Sequence, residues 1–310
     1  MSASLATAAG ATRRKHHRSC GSFEKLAWPY HMAIPCMYAL GLYVFLKKAA
    51  YAAFGQKPRI NCVIVDGLSV NSRRMKEGAT RWPSLDTCYN FTEGQGPTAL
   101  HKLVDRWWMR IRNAQAVRNR LKIARCELRA AIEAKYRPGQ PVRILSLASG
   151  SAQGVIETAA ELQKCGIRTE IVLVDHDPTA LRHARDLAHV NGIEVRTIDG
   201  KVLMFNKVIG DFKADIVEMM GFLDYARDTM AEKLLRKIRL YLAPGGTFFC
   251  CHIHPNKERF FLKWAVDWDS GMLYRTVREF EDVLLKGGFE SNRIVTEPLG
   301  IHSVSISQKL

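Results

Sequence analysis

Two cysteine patterns are absent from this 310-residue chain, although it contains eight cysteines. No C-x-x-C pair occurs, and no cysteine is spaced with a histidine in the way that zinc ligands are. These absences argue against a zinc site and against a disulfide framework like that of small secreted domains. We therefore expect reduced cysteines, with Cys250 and Cys251 in an apolar core strand, and a cytoplasmic location.

A complete dinucleotide-binding fingerprint is also absent. The small-residue turn that follows an apolar run has the frame Ala148-x-Gly150-x-x-Gln153, so it lacks the third glycine of G-x-G-x-x-G. The one Y-x-x-x-K sequence, from Tyr43 to Lys47, lies about a hundred residues before this turn. The pattern therefore argues against a nicotinamide-dependent dehydrogenase.

Acidic residues are scarce in the first part of the chain. Residues 1–140 hold 24 Lys and Arg against 8 Asp and Glu, whereas residues 141–310 hold 22 of each kind. The whole net charge of +16 thus belongs to the N-terminal part. Such an imbalance predicts a surface partner for that part rather than a cationic active site.

The order of these patterns divides the chain into three parts. Residues 1–22 are small, polar and basic, and we expect them to form a disordered tail. Residues 23–98 form a mainly helical apolar and basic segment, which we expect to act as a lid or to contact a membrane. Residues 99–310 contain the regular patterns of a catalytic domain.

The most apolar stretch runs from Ala27 to Leu46 and has no formal charge. Twenty residues are enough to cross a bilayer, but Pro29 and Pro35 are expected to break the first half. Three alternatives remain open: a helix packed on the catalytic domain, a helix that contacts an anionic membrane surface, and a true membrane span.

Further along, the segment from Gly67 to Tyr89 has no clear period, and we interpret it as a linker or a lid. A helical pattern with a break runs from Ala99 to Ala134. One face of it is basic, a pattern that favours a solvated surface over an anion track, and it contains Arg118, Lys122, Arg125 and Arg129.

The centre of the chain has the pattern of a βαβ unit. An apolar run from Ile144 to Ala148 reaches a turn of small residues, a helical pattern follows, and a second apolar run ends on Asp175. The turn lets a ligand approach the N-terminus of the helix closely. Because an acid at this position can accept hydrogen bonds from two ribose hydroxyls, the unit predicts a nucleoside-containing cofactor.

Strands and helices continue to alternate after this unit. We predict further strands at Glu194–Ile198, Ala214–Met219 and Thr247–Cys251. Two final extended runs, residues 293–297 and 302–307, are joined by Pro-Leu-Gly and should pair as an antiparallel hairpin. The predicted fold is therefore an α/β sheet with a hairpin at its edge.

This organisation resembles the class I S-adenosylmethionine-dependent methyltransferases over about residues 140–310. The first motif of that family is (D/E)-x-G-x-G-x-G, and here Ser146, Ala148 and Ala152 replace the acid and two glycines. The L-A-P-G-G sequence before the fifth strand and the edge hairpin are similar to the family pattern. The resemblance implies a Rossmann-like fold and S-adenosylmethionine as the cofactor.

The resemblance also implies the site residues. Those expected to bind the cofactor follow the first four strands: Ala148, Ser149, Gly150, Ala152, Asp175, His176, Asp199, Gly200 and Glu218. His252 and His254, just past the fifth strand, are the candidate general bases, followed by Asp224 and Tyr225. No metal ligands are expected.

Four residues are candidates for contact with the acceptor: Met219, Tyr225, Tyr274 and Arg275. The D-W…Y-R-T sequence around Tyr274 is similar, over a short stretch, to bacterial methyltransferases that esterify long-chain hydroxy acids. That similarity would give Arg275 a carboxylate to hold. A packed aromatic turn is the alternative.

We therefore expect a methyltransferase that acts on a small-molecule or lipid-like acceptor. Two alternatives stay open: an RNA-directed methyltransferase and a non-catalytic binding or scaffold protein with this fold. An N-P-P-Y loop is missing after the fourth strand, where the sequence is Glu218-Met219-Met220-Gly221, and this makes methylation of base amino groups less favoured. The N-terminal part would attach to an anionic membrane surface.

Overall fold

The strands of the C-terminal part assemble into one seven-stranded sheet. The computed structural model describes residues 21–268 and 271–309, so the predicted tail at 1–22 lies almost wholly outside the described residues. The strands are β1 (Val142–Leu147), β2 (Thr169–Asp175), β3 (Val195–Asp199), β4 (Ala214–Met219), β5 (Leu242–Ile253), β6 (Ser291–Thr296) and β7 (His302–Gln308).

The strand order is β3-β2-β1-β4-β5-β7-β6. Strands β1 to β5 are parallel, while β7 runs antiparallel to both β5 and β6. This order confirms the predicted α/β fold with its C-terminal hairpin. The strand order reverses between β1 and β4, because β2 and β3 lie on one side of β1 and β4 and β5 lie on the other. Open parallel sheets bind ligands at the carboxyl ends of the strands beside such a point.

The helices are α1 (Trp28–Ala53), α2 (Val70–Glu77), α3 (Trp82–Tyr89), α4 (Ala99–Met109), α5 (Arg112–Lys135), α6 (Gln153–Gln163), α7 (Pro178–Val190), α8 (Asp228–Tyr241), α9 (Arg259–Phe261, continued by the π-helix Leu262–Val266) and α10 (Val277–Lys286). They cover both faces of the sheet. Successive residues of β1 enter opposite layers: Leu145 and Leu147 pack with α8 and α10, and Ile144 packs with α6 and α7.

The long helix α1 differs from the prediction, because it begins at Trp28 and continues through Pro35. No side chain caps its N-terminus at Ala27, and the tertiary contacts of its later turns hold it. Met37 and Val44 are buried against the π-helix that follows α9, and Phe45 meets Trp264 edge-on. It is also long and apolar enough to cross a membrane, with 17% of its most apolar window buried in the protein.

The segment predicted as a linker or lid contains helices α2 and α3. The sequence showed no helical period there because each helix has only eight residues and is stabilised by packing rather than by an apolar stripe. The Ser69 side chain caps α2, whereas no side chain caps α3. The predicted break in the next helical pattern lies between α4 and α5, at Arg110 and Ile111. The buried carboxylate of Glu258 accepts hydrogen bonds from the first two amides of α5 and holds its start.

The basic face of α5 is neutralised within the protein. Arg118 pairs with Glu24, Arg125 with Glu157 and Glu161, and Arg129 with Glu133 and Glu161. An anion track would need these guanidinium groups free, so the structure excludes that alternative for them. One cysteine of α5, Cys126, is disulfide-bonded, which corrects the expectation of reduced cysteines at that position.

Candidate active site

The turn between β1 and α6 keeps a backbone shape that glycine normally provides. Ala148, Gly150 and Ala152 all have positive φ angles, of 49°, 53° and 49°. These are the three positions at which the resembled motif has glycine. Alanine pays a steric cost in this left-handed region, so the surrounding structure must hold the turn in place.

Asp175 is one of the residues that hold this turn. Its carboxylate is buried at the end of β2 and accepts from the Gly150 amide at 2.8 Å. Its other oxygen accepts from the Asp177 amide at 2.9 Å. His176 is exposed beside it, with Nδ1 3.4 Å from that oxygen. The carboxylate retains further lone pairs, and Asp175 lines a cavity that opens over the turn.

A cavity of about 460 Å³ opens over the turn and extends past the ends of β1, β4, β5 and β7. Its walls combine the turn with residues of α3, α5 and the loops after β4 and β5. Ten of the predicted site residues line it: Ala148, Ser149, Gly150, Ala152, Asp175, His176, Glu218, Asp224, Tyr225 and Tyr274. The structure therefore brings most of the predicted cofactor residues to one place.

Glu218 supplies a carboxylate where β1 lacks one. It is the register partner of Ser146 across β1 and β4, and Ser146 Oγ donates to Glu218 Oε2 at 2.5 Å. Burial raises the pKa of this carboxyl to about 7, against the opposing effects of the Ser146 hydrogen bond and the nearby Arg120 charge. The acid that is missing from the motif on β1 is thus present one strand away.

Helix α3 covers the cofactor end of the cavity. Trp82 Nε1 donates to Thr179 Oγ1 at 3.0 Å, and its ring stacks on His183 with 4.5 Å between centroids. A Cβ added at Gly150 would lie 3.4 Å from the Trp82 Cβ. The predicted lid is therefore a helix that docks directly on the βαβ unit.

The other end of the cavity contains a buried cation and a buried imidazole. Arg120 of α5 donates to the Tyr89 hydroxyl at 2.8 Å and lies 3.6 Å from Cys251 Sγ. His302, at the start of β7, is 3% exposed, and neither of its ring nitrogens has a hydrogen-bond partner among the described residues. Burial lowers the pKa of His302 well below its usual value, and Arg120 lowers it further.

The two histidines predicted as general bases lie outside the cavity lining, whereas the other two candidates, Asp224 and Tyr225, belong to it. His252 is fully buried and stacks on Phe280 with 5.4 Å between centroids. Its Nδ1 is 2.9 Å from Asp224 Oδ1, although the two are not aligned for a hydrogen bond. His254 uses both nitrogens, 2.7 Å from the Arg275 carbonyl and 2.6 Å from Ser303 Oγ. Both histidines therefore contact other groups of the protein, as residues with a structural role do.

Arg275 is also held by hydrogen bonds to other groups of the protein. Its guanidinium donates to the carbonyls of Leu223 and Ala226 and to the Asp228 carboxylate, so it does not reach the cavity to hold an acceptor. Met219 is fully buried in the core, because side chains alternate along β4 and Glu218 and Met220 take the cavity side.

Two predicted cofactor residues lie at the carboxyl edge but outside the lining. Asp199 is the register partner of Asp175, and its side chain is exposed. Gly200 follows it, and an added Cβ there would approach Val208 Cγ2 to 3.2 Å. The close approach of Val208 is therefore enough to explain why residue 200 is a glycine.

The lining residues that were missed from the sequence include Ser84, Tyr89, Arg120 and His302. Arg120 had a detectable signal. Val117, Arg120, Leu121 and Ala124 share one helical face by their three- and four-residue spacing, so an arginine stands within an apolar stripe. No comparable signal marked His302, whose placement depends on its pairing with Ile253 across β5 and β7.

Sheet order, turn and cavity together define the class I methyltransferase fold. A solved structure of a possible exported protein from Bordetella parapertussis matches with a TM-score of 0.64 and 17% identity, over 92% of this chain and 99% of that one. Magnesium protoporphyrin IX methyltransferase from Synechocystis PCC 6803 with bound SAH matches with a TM-score of 0.51 and 10% identity, over 80% and 98%. At these identities the two structures support the fold alone.

Sequence comparison identifies the family. Residues 40–309 match the family described as "putative methyltransferase". Demethylmenaquinone methyltransferase of Thermus thermophilus is 30% identical over 161 residues, which is 51% of this chain and 66% of that enzyme. The chain belongs to this family of methyltransferases. The family region begins within α1, so it includes most of the segment that we had separated from the catalytic domain.

Proposed function

We propose that the protein transfers the methyl group of S-adenosylmethionine to a small-molecule or lipid-like acceptor. One observation carries this proposal. The left-handed turn Ala148–Ala152 and the buried carboxylate of Asp175 lie together at the carboxyl edge of the sheet, and both line the same cavity. Ligands of open parallel sheets bind at this edge, so the arrangement supports a nucleoside-containing cofactor there.

The residues of the cofactor end fit S-adenosylmethionine. In this proposal the turn holds the methionine and ribose, Asp175 accepts from the ribose hydroxyls, and His176 and Asp199 border the adenine. Glu218 faces the cationic methionine end. When bound, the cofactor supplies a methyl group already activated on sulfur. The chain then has to orient the acceptor and exclude water, which can contribute about 7–11 kcal/mol.

The acceptor end supports a small or lipid-like molecule. It is walled by apolar and aromatic side chains: Tyr225, Ile253, Leu262, Trp268, Met272 and Tyr274. Two of the proteins named above are, by name, methyltransferases of demethylmenaquinone and of magnesium protoporphyrin IX, which are small molecules. An RNA acceptor is less favoured, because three of the four arginines and lysines on the basic face of α5 form close carboxylate pairs.

Calorimetry with S-adenosylmethionine and with S-adenosylhomocysteine tests the proposal. We expect Asp175→Ala to weaken binding by about 1.5–3 kcal/mol, the range for a hydrogen bond to a charged group. Asp186→Ala, an exposed acid on α7, is the matched control and should bind like the wild type. Absence of binding to the wild-type protein would favour the scaffold alternative.

We further propose that α1 attaches the protein to an anionic membrane surface. Its outer face exposes large apolar side chains, including Leu42, Leu46 and Phe54, at 50%, 57% and 81%. Exposed Lys57 and Arg59 follow the helix, and Lys25 precedes it. Apolar area and basic charge are the two signals that together give stable membrane binding, whereas one alone binds weakly.

A further inference from the structure

Arg120 is a buried guanidinium without a carboxylate partner. Among the described residues, no carboxylate oxygen lies within 4.0 Å of its nitrogens. The two other buried arginines are ion-paired, Arg118 with Glu24 and Arg275 with Asp228. A guanidinium has five N–H donors, and Arg120 uses them only toward a hydroxyl and a thiol. Burying such a charge without an anion is costly.

The nearby acids do not fill this role. Asp224 is coupled to Arg120 by charge, but its Oδ1 accepts from the Ile253 amide at 2.9 Å. Glu218 accepts from Ser146, and its raised pKa of about 7 shows how little its ionised form is stabilised there. Neither acid therefore forms an ion pair with Arg120.

His302 completes the surroundings of this end. It lines the same cavity with both ring nitrogens unpartnered, and it faces the cavity together with Ile253, its partner across the β5–β7 ladder. Because its pKa lies well below the usual value, the imidazole is neutral at neutral pH and is a poor acceptor for a proton. It can, however, donate one hydrogen bond through its N–H.

We infer that Arg120 and His302 form the acceptor subsite, and that they bind an oxygen that is already an anion at neutral pH. A carboxylate and a strongly acidic enol share this chemistry. The inference rests on the proposed function, since it names the acceptor class for the same cavity.

The methyl transfer then balances without a general base. A lone pair of the acceptor oxygen forms the bond to the methyl carbon, while the carbon–sulfur bond breaks and its electron pair stays on sulfur. The negative charge of the acceptor and the positive charge of the sulfonium cancel, and no proton moves. The products are a methyl ester or enol ether and the neutral thioether.

Binding of three probes to the full chain, saturated with S-adenosylhomocysteine, tests the inference by calorimetry. Decanoate is the carboxylate, 4-hydroxycoumarin is the ionised enol, and decan-1-ol is the neutral comparison. We expect the wild type to bind at least one anion ten or more times more tightly than decan-1-ol. The anion that binds more tightly identifies which of the two acceptor types the subsite prefers.

Arg120→Met should remove that preference while leaving S-adenosylhomocysteine affinity within about twofold of wild type. Its melting temperature should be unchanged or higher, because replacing an unpaired buried charge by an apolar side chain relieves a desolvation cost. Arg125→Gln, on the same helix outside the cavity, is the control and should keep the preference.

Three outcomes would overturn the inference. One is a wild type that binds S-adenosylhomocysteine but shows no preference for either anion. Another is an Arg120→Met variant that keeps the preference. The third is a folded Arg120→Met variant with a markedly lower melting temperature, which would give Arg120 a structural role. A wild type that fails to bind S-adenosylhomocysteine would instead contradict the proposed function.

Discussion

Ser146 and Glu218 face each other across two neighbouring parallel strands and share a hydrogen bond of 2.5 Å. The serine stands where the resembled motif has an acid, and the glutamate restores a carboxylate at the same height of the sheet. The carboxylate therefore comes from a different place in the sequence than the acid of the motif, although it lies next to that position in the sheet. Glu218 lines the cavity, so this pair places a titratable carboxyl group there.

Replacing Glu218 should change how stability depends on pH. Its folded pKa of about 7 lies above the ordinary value of 4.5, so the folded state favours the protonated form. This contribution is fully present below pH 4.5 and is lost as the pH rises through 7. The shift corresponds to at most about 3 kcal/mol, less where water in the cavity reaches the carboxyl group.

We therefore expect Glu218→Gln to be more stable than the wild type at pH 8, with a difference that shrinks toward pH 5. Glutamine still accepts the Ser146 hydrogen bond, so the packing is kept. Urea unfolding at pH 5, 6.5 and 8 measures the difference. Glu170→Gln, an exposed position on β2, should follow the wild type. Parallel curves for Glu218→Gln and wild type would contradict the expectation.

Glycine at Ala148 or Ala152 should be tolerated or stabilising. Each alanine adopts a left-handed conformation that costs about 1–2 kcal/mol. Glycine removes this strain but gives the unfolded chain more freedom, which costs about 0.5–1 kcal/mol. The expected net gain in the free energy of unfolding is between zero and about 1.5 kcal/mol.

The same exchange in a helix provides the control for the glycine variants. Ala159 is buried in the interior of α6, and Ala159→Gly should destabilise by about 1 kcal/mol. Opposite signs at the turn and in the helix are the expected pattern in urea unfolding. Equal losses at both places would show that the turn does not depend on backbone conformation.

Charges on the outer face of α1 should abolish membrane binding. Deleting residues 1–60 is a poor test, because Met37 and Val44 are core residues. The triple substitution Leu42→Glu, Leu46→Glu and Phe54→Glu keeps that core. We expect the wild type to pellet with liposomes that contain anionic lipid at low salt, and the variant to remain in the supernatant.

Two exposed apolar residues elsewhere give the matched control for this experiment. Val190→Glu with Leu240→Glu adds negative charge on α7 and α8, where Val190 and Leu240 are 82% and 66% exposed. This variant should pellet like the wild type. If the wild type stays in the supernatant, or if both variants pellet equally, the membrane proposal fails.

Most of the fold could be predicted because strand and helix patterns in the C-terminal part are local. Each strand of the βαβ units is an apolar run that ends at a turn, and residues 214–219 were placed without error. The hairpin was marked by its Pro-Leu-Gly turn. Helix α1 was mispredicted at Pro35, because its continuity depends on packing against a segment more than two hundred residues later.

The acceptor end could not be predicted for a different reason. Strand β5 is buried on both faces, so its sequence does not alternate and cannot tell which of Ile253 and its neighbouring histidines faces the cavity. The answer depends on the register with β7, which brings His302 opposite Ile253. The pairing of β5 with β7 therefore places His302 at the cavity, whereas the predicted His252 and His254 lie outside it.

Helix α3 joins the two ends of the cavity. Its first residue, Trp82, rests on Thr179 and His183 beside the turn, and its last, Tyr89, receives the hydrogen bond of Arg120. Eight helical residues form a stiff rod about 12 Å long, so a displacement at one end is transmitted to the other. We therefore expect that any displacement of Trp82 during cofactor exchange also moves the Tyr89 hydroxyl that Arg120 binds, so that release of the cofactor product and of the methylated product would be coupled through α3.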